Sequence, residues 1–93
     1  MQNMKKEVLC IVHGDVQGVF FRQFAKDKAT ALGVFGYAKN LDDGTVEIIG
    51  QADEGVLKSF LESICAGPEN AQVESMAVSW GKVTEEFTQF DVL

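Results

Sequence analysis

The 93-residue chain holds one histidine, one proline and two cysteines. The thiols, Cys10 and Cys65, form no Cys-x-x-Cys and lack the spacing of a metal knuckle. A single imidazole and scattered carboxylates add no convincing ligand set, so neither a metal nor another cofactor is expected. Basic residues are also few: 8 Lys and Arg stand against 14 Asp and Glu, for a formal net charge of −6. That balance argues against a broad basic face for DNA or RNA. It leaves room for a focused pocket that holds a small anion. Long apolar runs are missing too. Lys5 and Lys6 precede an apolar stretch over 8–12, but it is too short for a secretory core, and Gly14 and Asp15 interrupt it without a cleavage site. No segment is long enough to span a bilayer, and no linker, low-complexity tract or internal repeat breaks the chain. These absences predict a soluble cytoplasmic protein, the length predicts one domain over residues 1–93, and a monomer is expected.

What the chain does have is apolar material for one core: 46% of its residues are hydrophobic and seven are Phe. Residues 8–13 read as a strand with Val8, Cys10 and Val12 on one face and Leu9 and Ile11 on the other, a central-strand pattern. From Phe21 the spacing becomes helical through Phe24, Ala25, Lys28, Ala29 and Leu32, and Gly33 stops it. Strands are expected over 34–39 and 45–49, joined by Leu41-Asp42-Asp43-Gly44, a hairpin turn. Asp53 is a plausible N-cap for a second helix with its stripe at Val56, Leu57, Phe60, Leu61 and Ile64, ended by Gly67-Pro68. Residues 73–80 give a fourth strand and 87–93 a short final one at an edge, with Phe90 and Val92 facing inward. The order is βαββαβ, a ferredoxin-like split βαβ sandwich of the α+β class: an antiparallel sheet, both helices on one face, and a short extra C-terminal edge strand. For the cysteines two readings stand: a pair of buried thiols, or one disulfide between the first strand and the end of the second helix.

Two places carry chemistry. Gly14 and Gly18, four apart and just ahead of the first helix, allow a tight loop with exposed amides. Arg22 begins that helix, where the helix dipole repels a cation. An anion removes the conflict, because loop amides and helix N-terminus converge on it and a guanidinium fits its oxygens. No Gly-Lys-Ser or Gly-Lys-Thr follows, so the loop is not a P-loop. Asn40 ends the second strand immediately before the turn. An ordinary turn residue is one reading. In a split βαβ fold, however, the ends of the first and second strands share an edge of the sheet, and Asn40 then sits beside the loop.

The segment Gly14-Asp15-Val16-Gln17-Gly18-Val19-Phe20-Phe21-Arg22 resembles the first signature of the acylphosphatases. Gly36-Tyr37-Ala38-Lys39-Asn40-Leu41-Asp42-Asp43-Gly44-Thr45-Val46, followed by Gly50, resembles their second. The resemblance continues through Gly67-Pro68, Ala71, Val73, Phe90 and Val92. It implies hydrolysis of acyl phosphates to a carboxylate and inorganic phosphate. By matching position, Arg22 is the phosphate-binding arginine and Asn40 the water-orienting asparagine, while the backbone amides of Gly14, Asp15, Val16, Gln17, Gly18 and Val19 form the phosphate loop. Thr45 matches a position that supports Asn40 from behind. Asp15 departs by bringing a carboxylate into an anion loop, and its side chain is expected to point outward. A related domain also occurs inside larger carbamoyl-transfer maturation enzymes, and a free-standing enzyme is expected here.

The scarcity of acid–base groups suits that chemistry, since a carboxylate leaving group with a conjugate acid pKa of roughly 4 departs without a proton. His13, at the end of the first strand, is therefore not required as a base. Phe20 and Phe21 read as core and pocket wall, and the acidic residues Glu54, Glu62, Glu69, Glu74, Glu85 and Glu86 as solvated surface. The rival reading is a ferredoxin-like regulatory module that binds a small anion without turnover. An RNA-recognition domain would need basic and aromatic motifs on its central strands, which are not there.

Overall fold

The computed structural model describes residues 5–93. Its elements are β1 (Lys6–Asp15), α1 (Phe21–Leu32), β2 (Phe35–Asn40), β3 (Val46–Ala52), α2 (Glu54–Ala66), β4 (Gln72–Gly81) and β5 (Phe90–Val92). Alternation decides which face of the sheet is covered. Val8, Cys10 and Val12 of β1 and Val46 and Ile48 of β3 are fully buried, and they share one core with Phe21, Ala25 and Ala29 of α1 and Leu57, Phe60 and Ile64 of α2. Those helical positions recur every three or four residues, so each helix lays one apolar stripe on the same face of the sheet. α1 ends at Gly33, where the Val34 N–H reaches back to the Ala29 oxygen at 2.8 Å and satisfies a carbonyl of the last turn. Asp53 takes the N-cap position of α2 with an extended backbone, but its carboxylate makes no cap hydrogen bond.

The sheet runs in the order β4-β1-β3-β2-β5. β3 lies antiparallel between β1 and β2, so β1 and β2 run the same way and both finish at one edge. The expected antiparallel sheet therefore holds for β1 to β4. The fifth strand differs: β5 joins β2 in parallel, Gly36 opposite Phe90 and Ala38 opposite Val92. The cause lies in the segment between β4 and β5. It crosses the face of the sheet that carries no helix and delivers β5 to the far edge from the end where β2 starts. Gln51, fully buried, holds that crossing: its amide donates to the Glu85 oxygen at 2.6 Å and its carbonyl accepts from the Phe87 N–H at 3.0 Å. Phe87 then packs edge-on against Tyr37 at 5.8 Å.

Several strands are longer than their apolar patterns. β1 continues through Gly14 and Asp15, which pair with Val73 and Gln72 after a register shift at His13. A Cβ on Gly14 would lie 2.0 Å from the Gln72 oxygen, so only glycine permits that close approach of β4. β3 continues through Gly50 and Gln51 to Ala52. β5 is shorter than expected, with Phe90 buried but Val92 partly exposed. The two cysteines are free, and only Cys10 is buried; Cys65 is exposed beside inward-facing Ile64. Among the described residues, no helix is long and apolar enough to cross a membrane.

Candidate active site

Three strand ends and one helix start converge at a single edge of the sheet: the C-terminal ends of β1, β2 and β5 and the N-terminus of α1. The loop that leaves β1 begins at Val16, which is buried and anchors it in the core. Gly18 follows with φ +75°, and Phe20, at φ 61° and ψ 27°, caps α1 in the left-handed region. A phenylalanine in that region is uncommon, and such residues gather where a local shape is needed for function. The N–H groups of residues 17–20 donate to no acceptor among the described residues. No side chain caps α1, and its first turn holds no acidic residue. A run of free donors therefore immediately precedes the positive end of a helix dipole.

Arg22 projects from the first turn of α1. One of its N–H groups donates to the backbone oxygen of Leu93, just past β5. That contact fixes the direction of the guanidinium and leaves its other donors for an oxyanion. Asn40 arrives from β2. The ladder sets it opposite Val46, itself opposite Val12. Residues directly across a ladder share a face. The Asn40 side chain therefore points to the helix side, with the buried Val12 and Val46, and not into the solvent beyond the turn. Its Oδ1 is buried and has no hydrogen-bond partner, the only such side-chain atom among the described residues. A buried carbonyl of that kind costs about 1–3 kcal/mol and marks a place where a ligand or water belongs.

Val16, Gly18, Phe20, Phe21, Arg22, Gln23, Asn40 and Val92 line one pocket of about 340 Å³. The sequence-predicted Arg22 and Asn40 are thus brought together with the heart of the loop. Gly14 and Asp15 are not: they sit in the β1–β4 ladder and outside the pocket lining, and Asp15 is exposed as expected. Val92, expected in the core, is a pocket wall instead. Phe20 and Phe21 divide their work, Phe21 buried in the core and Phe20 85% exposed at the rim. His13 is exposed and does not line the pocket.

The turn behind Asn40 is held by its own network. The Leu41 N–H donates to the Thr45 oxygen at 2.9 Å, and the Gly44 N–H to the Leu41 oxygen at 3.2 Å. The Thr45 hydroxyl, matched by the resemblance to support of Asn40, donates to Asp43 Oδ1 at 2.6 Å, as does the Thr45 N–H at 3.0 Å. Those two bonds, the hydroxyl's first, hold the Asp43 carboxyl below its ordinary range. Thr45 therefore shapes the turn. One contribution escaped sequence reasoning: the Gln17 side chain, whose amide reaches this turn from the loop. A glutamine inside a glycine-bounded loop was the only signal, and it is a weak one.

Among the described residues, no group of three or more His, Cys, Asp or Glu could hold a metal ion. What the pocket offers is a fixed cation, a row of backbone donors and one unpartnered amide carbonyl. That set suits a tetrahedral oxyanion with a water at its side.

A family model described as Acylphosphatase matches residues 8–92. A protein named acylphosphatase from Dehalococcoides mccartyi is 41% identical over 83 residues, which cover 88% of this chain and 91% of that one. Another, from Methanococcoides burtonii, is 40% identical over 91 residues and 95% of each chain. The crystal structure of acylphosphatase from Bacillus subtilis aligns with a TM-score of 0.92 at 34% identity, over 95% of this chain and 98% of that chain.

Proposed function

The chain belongs to the acylphosphatase family, hydrolases that turn acyl phosphates into carboxylate and inorganic phosphate, and on that premise we propose that Arg22 and the loop amides bind the phosphoryl group while Asn40 orients the attacking water. The observation that carries this reading is the unpartnered Oδ1 of Asn40, buried in the same pocket as Arg22 and Gly18. An amide carbonyl there accepts a hydrogen bond from a water and turns its lone pair toward phosphorus.

The phosphoryl group rests on the donors of residues 16–20 and the start of α1, with Arg22 against its equatorial oxygens. Gly14 and Asp15 shape the approach to this cradle from the β1–β4 ladder. In-line transfer places the acyl oxygen on the far side from the water. The carboxylate leaves unprotonated, so no general acid is required at that position. The water's proton passes to a phosphate oxygen of the substrate, because no carboxyl or imidazole lines the pocket to take it. Turnover by this route needs no metal. The net charge of −6 fits a protein without a nucleic-acid partner, free Cys10 and Cys65 fit a reducing compartment such as the cytoplasm, and a site built by one chain fits a monomer.

The test is loss of benzoyl phosphate at neutral pH with EDTA present, comparing the native protein, R22A, N40A and buffer. Rapid loss with the native protein alone supports the roles given to both residues. A native protein that binds phosphate but matches buffer would overturn the assignment and favour an anion-binding module.

A further inference from the structure

We infer that the side chain of Gln17 is a positioning residue that sets the distance between the phosphate loop and Asn40; the inference rests on the roles proposed above for that loop and for Asn40. Gln17 Nε2 donates to the Leu41 oxygen at 2.9 Å and to the Thr45 oxygen at 2.8 Å. An amide nitrogen has two N–H groups, and both are engaged. Their acceptors are the two ends of the turn that follows Asn40. Leu41 is the next residue in the chain, and its N–H in turn donates to the Thr45 oxygen. One half-buried amide thus grips both ends of the turn that carries the water-orienting residue. Its own backbone belongs to the loop whose Val16, Gly18 and Phe20 line the pocket.

No other hydrogen bond joins that loop to that turn among the described residues. The loop leads into α1, the turn joins β2 to β3, and the Gln17 side chain bonds the one to the other. Phosphorus and water must meet at near-attack separation, and a misplacement of about 1 Å costs about 10²-fold in rate. The chemistry of the clamp is specific. Asparagine is shorter by one methylene, and a glutamate carboxylate has no proton to donate to two carbonyl oxygens.

The experiment measures benzoyl phosphate hydrolysis and competitive inhibition by inorganic phosphate for native protein, Q17M and Q17E, with rates corrected for the folded fraction by circular dichroism. Q17M keeps the length and loses both donors. Its kcat is expected to fall about 10²-fold, with inhibition by phosphate close to native, because the loop carries its own amides with it. Q17E is expected to lose at least as much as Q17M at neutral pH, its carboxylate facing two carbonyl oxygens. It should recover part of that loss, relative to native at the same pH, as the pH is lowered and the carboxyl gains one O–H to donate. That recovery keeps the test open if Q17M does not fold. Native kcat in folded Q17M, or a loss confined to KM and phosphate inhibition, would overturn the inference while leaving the reading of the site intact. No hydrolysis by the native protein would overturn that reading, and this inference with it.

Discussion

Asn40 pairs with Val46 on the last rung of the β2–β3 ladder, and that pairing turns its amide toward the helices and into the pocket. A shift of one residue in the register would send the same side chain to the opposite face. The site therefore depends on sheet register as much as on residue identity.

Removing this amide separates catalysis from stability. N40A is expected to lose nearly all turnover while still binding inorganic phosphate with near-native affinity. The protein should melt no lower than native, because a buried carbonyl without a partner (a cost of about 1–3 kcal/mol) disappears with it. Calorimetry beside the kinetics checks both halves. R22A should differ, losing phosphate affinity and roughly 10²–10³ in kcat together.

The two glycines of the first signature should fail differently. At Gly14 a Cβ would meet the Gln72 oxygen at 2.0 Å with φ at +135°, so β4 must move. G14A is expected to unfold at far lower urea than native. At Gly18, φ is +75° but the space is open. G18A should lose only about 1–2 kcal/mol, the cost of a side chain in the left-handed region. Equal destabilisation in urea titrations would contradict this picture of β1.

The Asp43 carboxyl gives the turn an acid dependence. Thr45 holds it below its ordinary value of 3.8, so the folded protein binds this proton less readily than the unfolded chain. Its contribution is complete above that ordinary value and is lost as the pH falls through the lower, folded one. D43A is expected to lower the melting temperature at neutral pH, with the gap from native narrowing in that acid window. A gap that stays constant down through the window would rule out this role.

Burial pushes the Cys10 thiol up to about 12, with Cys65 a smaller contribution, whereas Cys65 is exposed. A thiol with so little thiolate reacts slowly. Iodoacetamide at mildly alkaline pH should add one label to the native protein, at Cys65, and two in denaturant. Rapid native labelling of Cys10, read by peptide mass spectrometry, would show that strand β1 opens.

The helices and most of the sheet were legible in the chain because their information is local. Phe21, Ala25 and Ala29 recur at helical spacing, Val8, Cys10 and Val12 alternate, and both patterns match the faces that are buried. Gly14 to Arg22 and Gly36 to Val46 also carried the family resemblance, which the comparisons bear out. Strand ends were less legible. β1 runs on through Gly14 and β3 through Gly50 and Gln51, where no alternating pattern remains and pairing with a neighbour keeps the strand going.

By itself, then, the sequence determined the elements, their order and the residue types of the pocket, since propensity and periodicity act over a few residues. Tertiary structure alone decided that β5 lies parallel to β2, that Asn40 faces the helices with its carbonyl unpartnered, and that Gln17 reaches Leu41 and Thr45. The first and last are contacts between segments far apart in the chain, and the facing of Asn40 follows from the register of its ladder. Register and packing choose all three, and no short window of residues contains them.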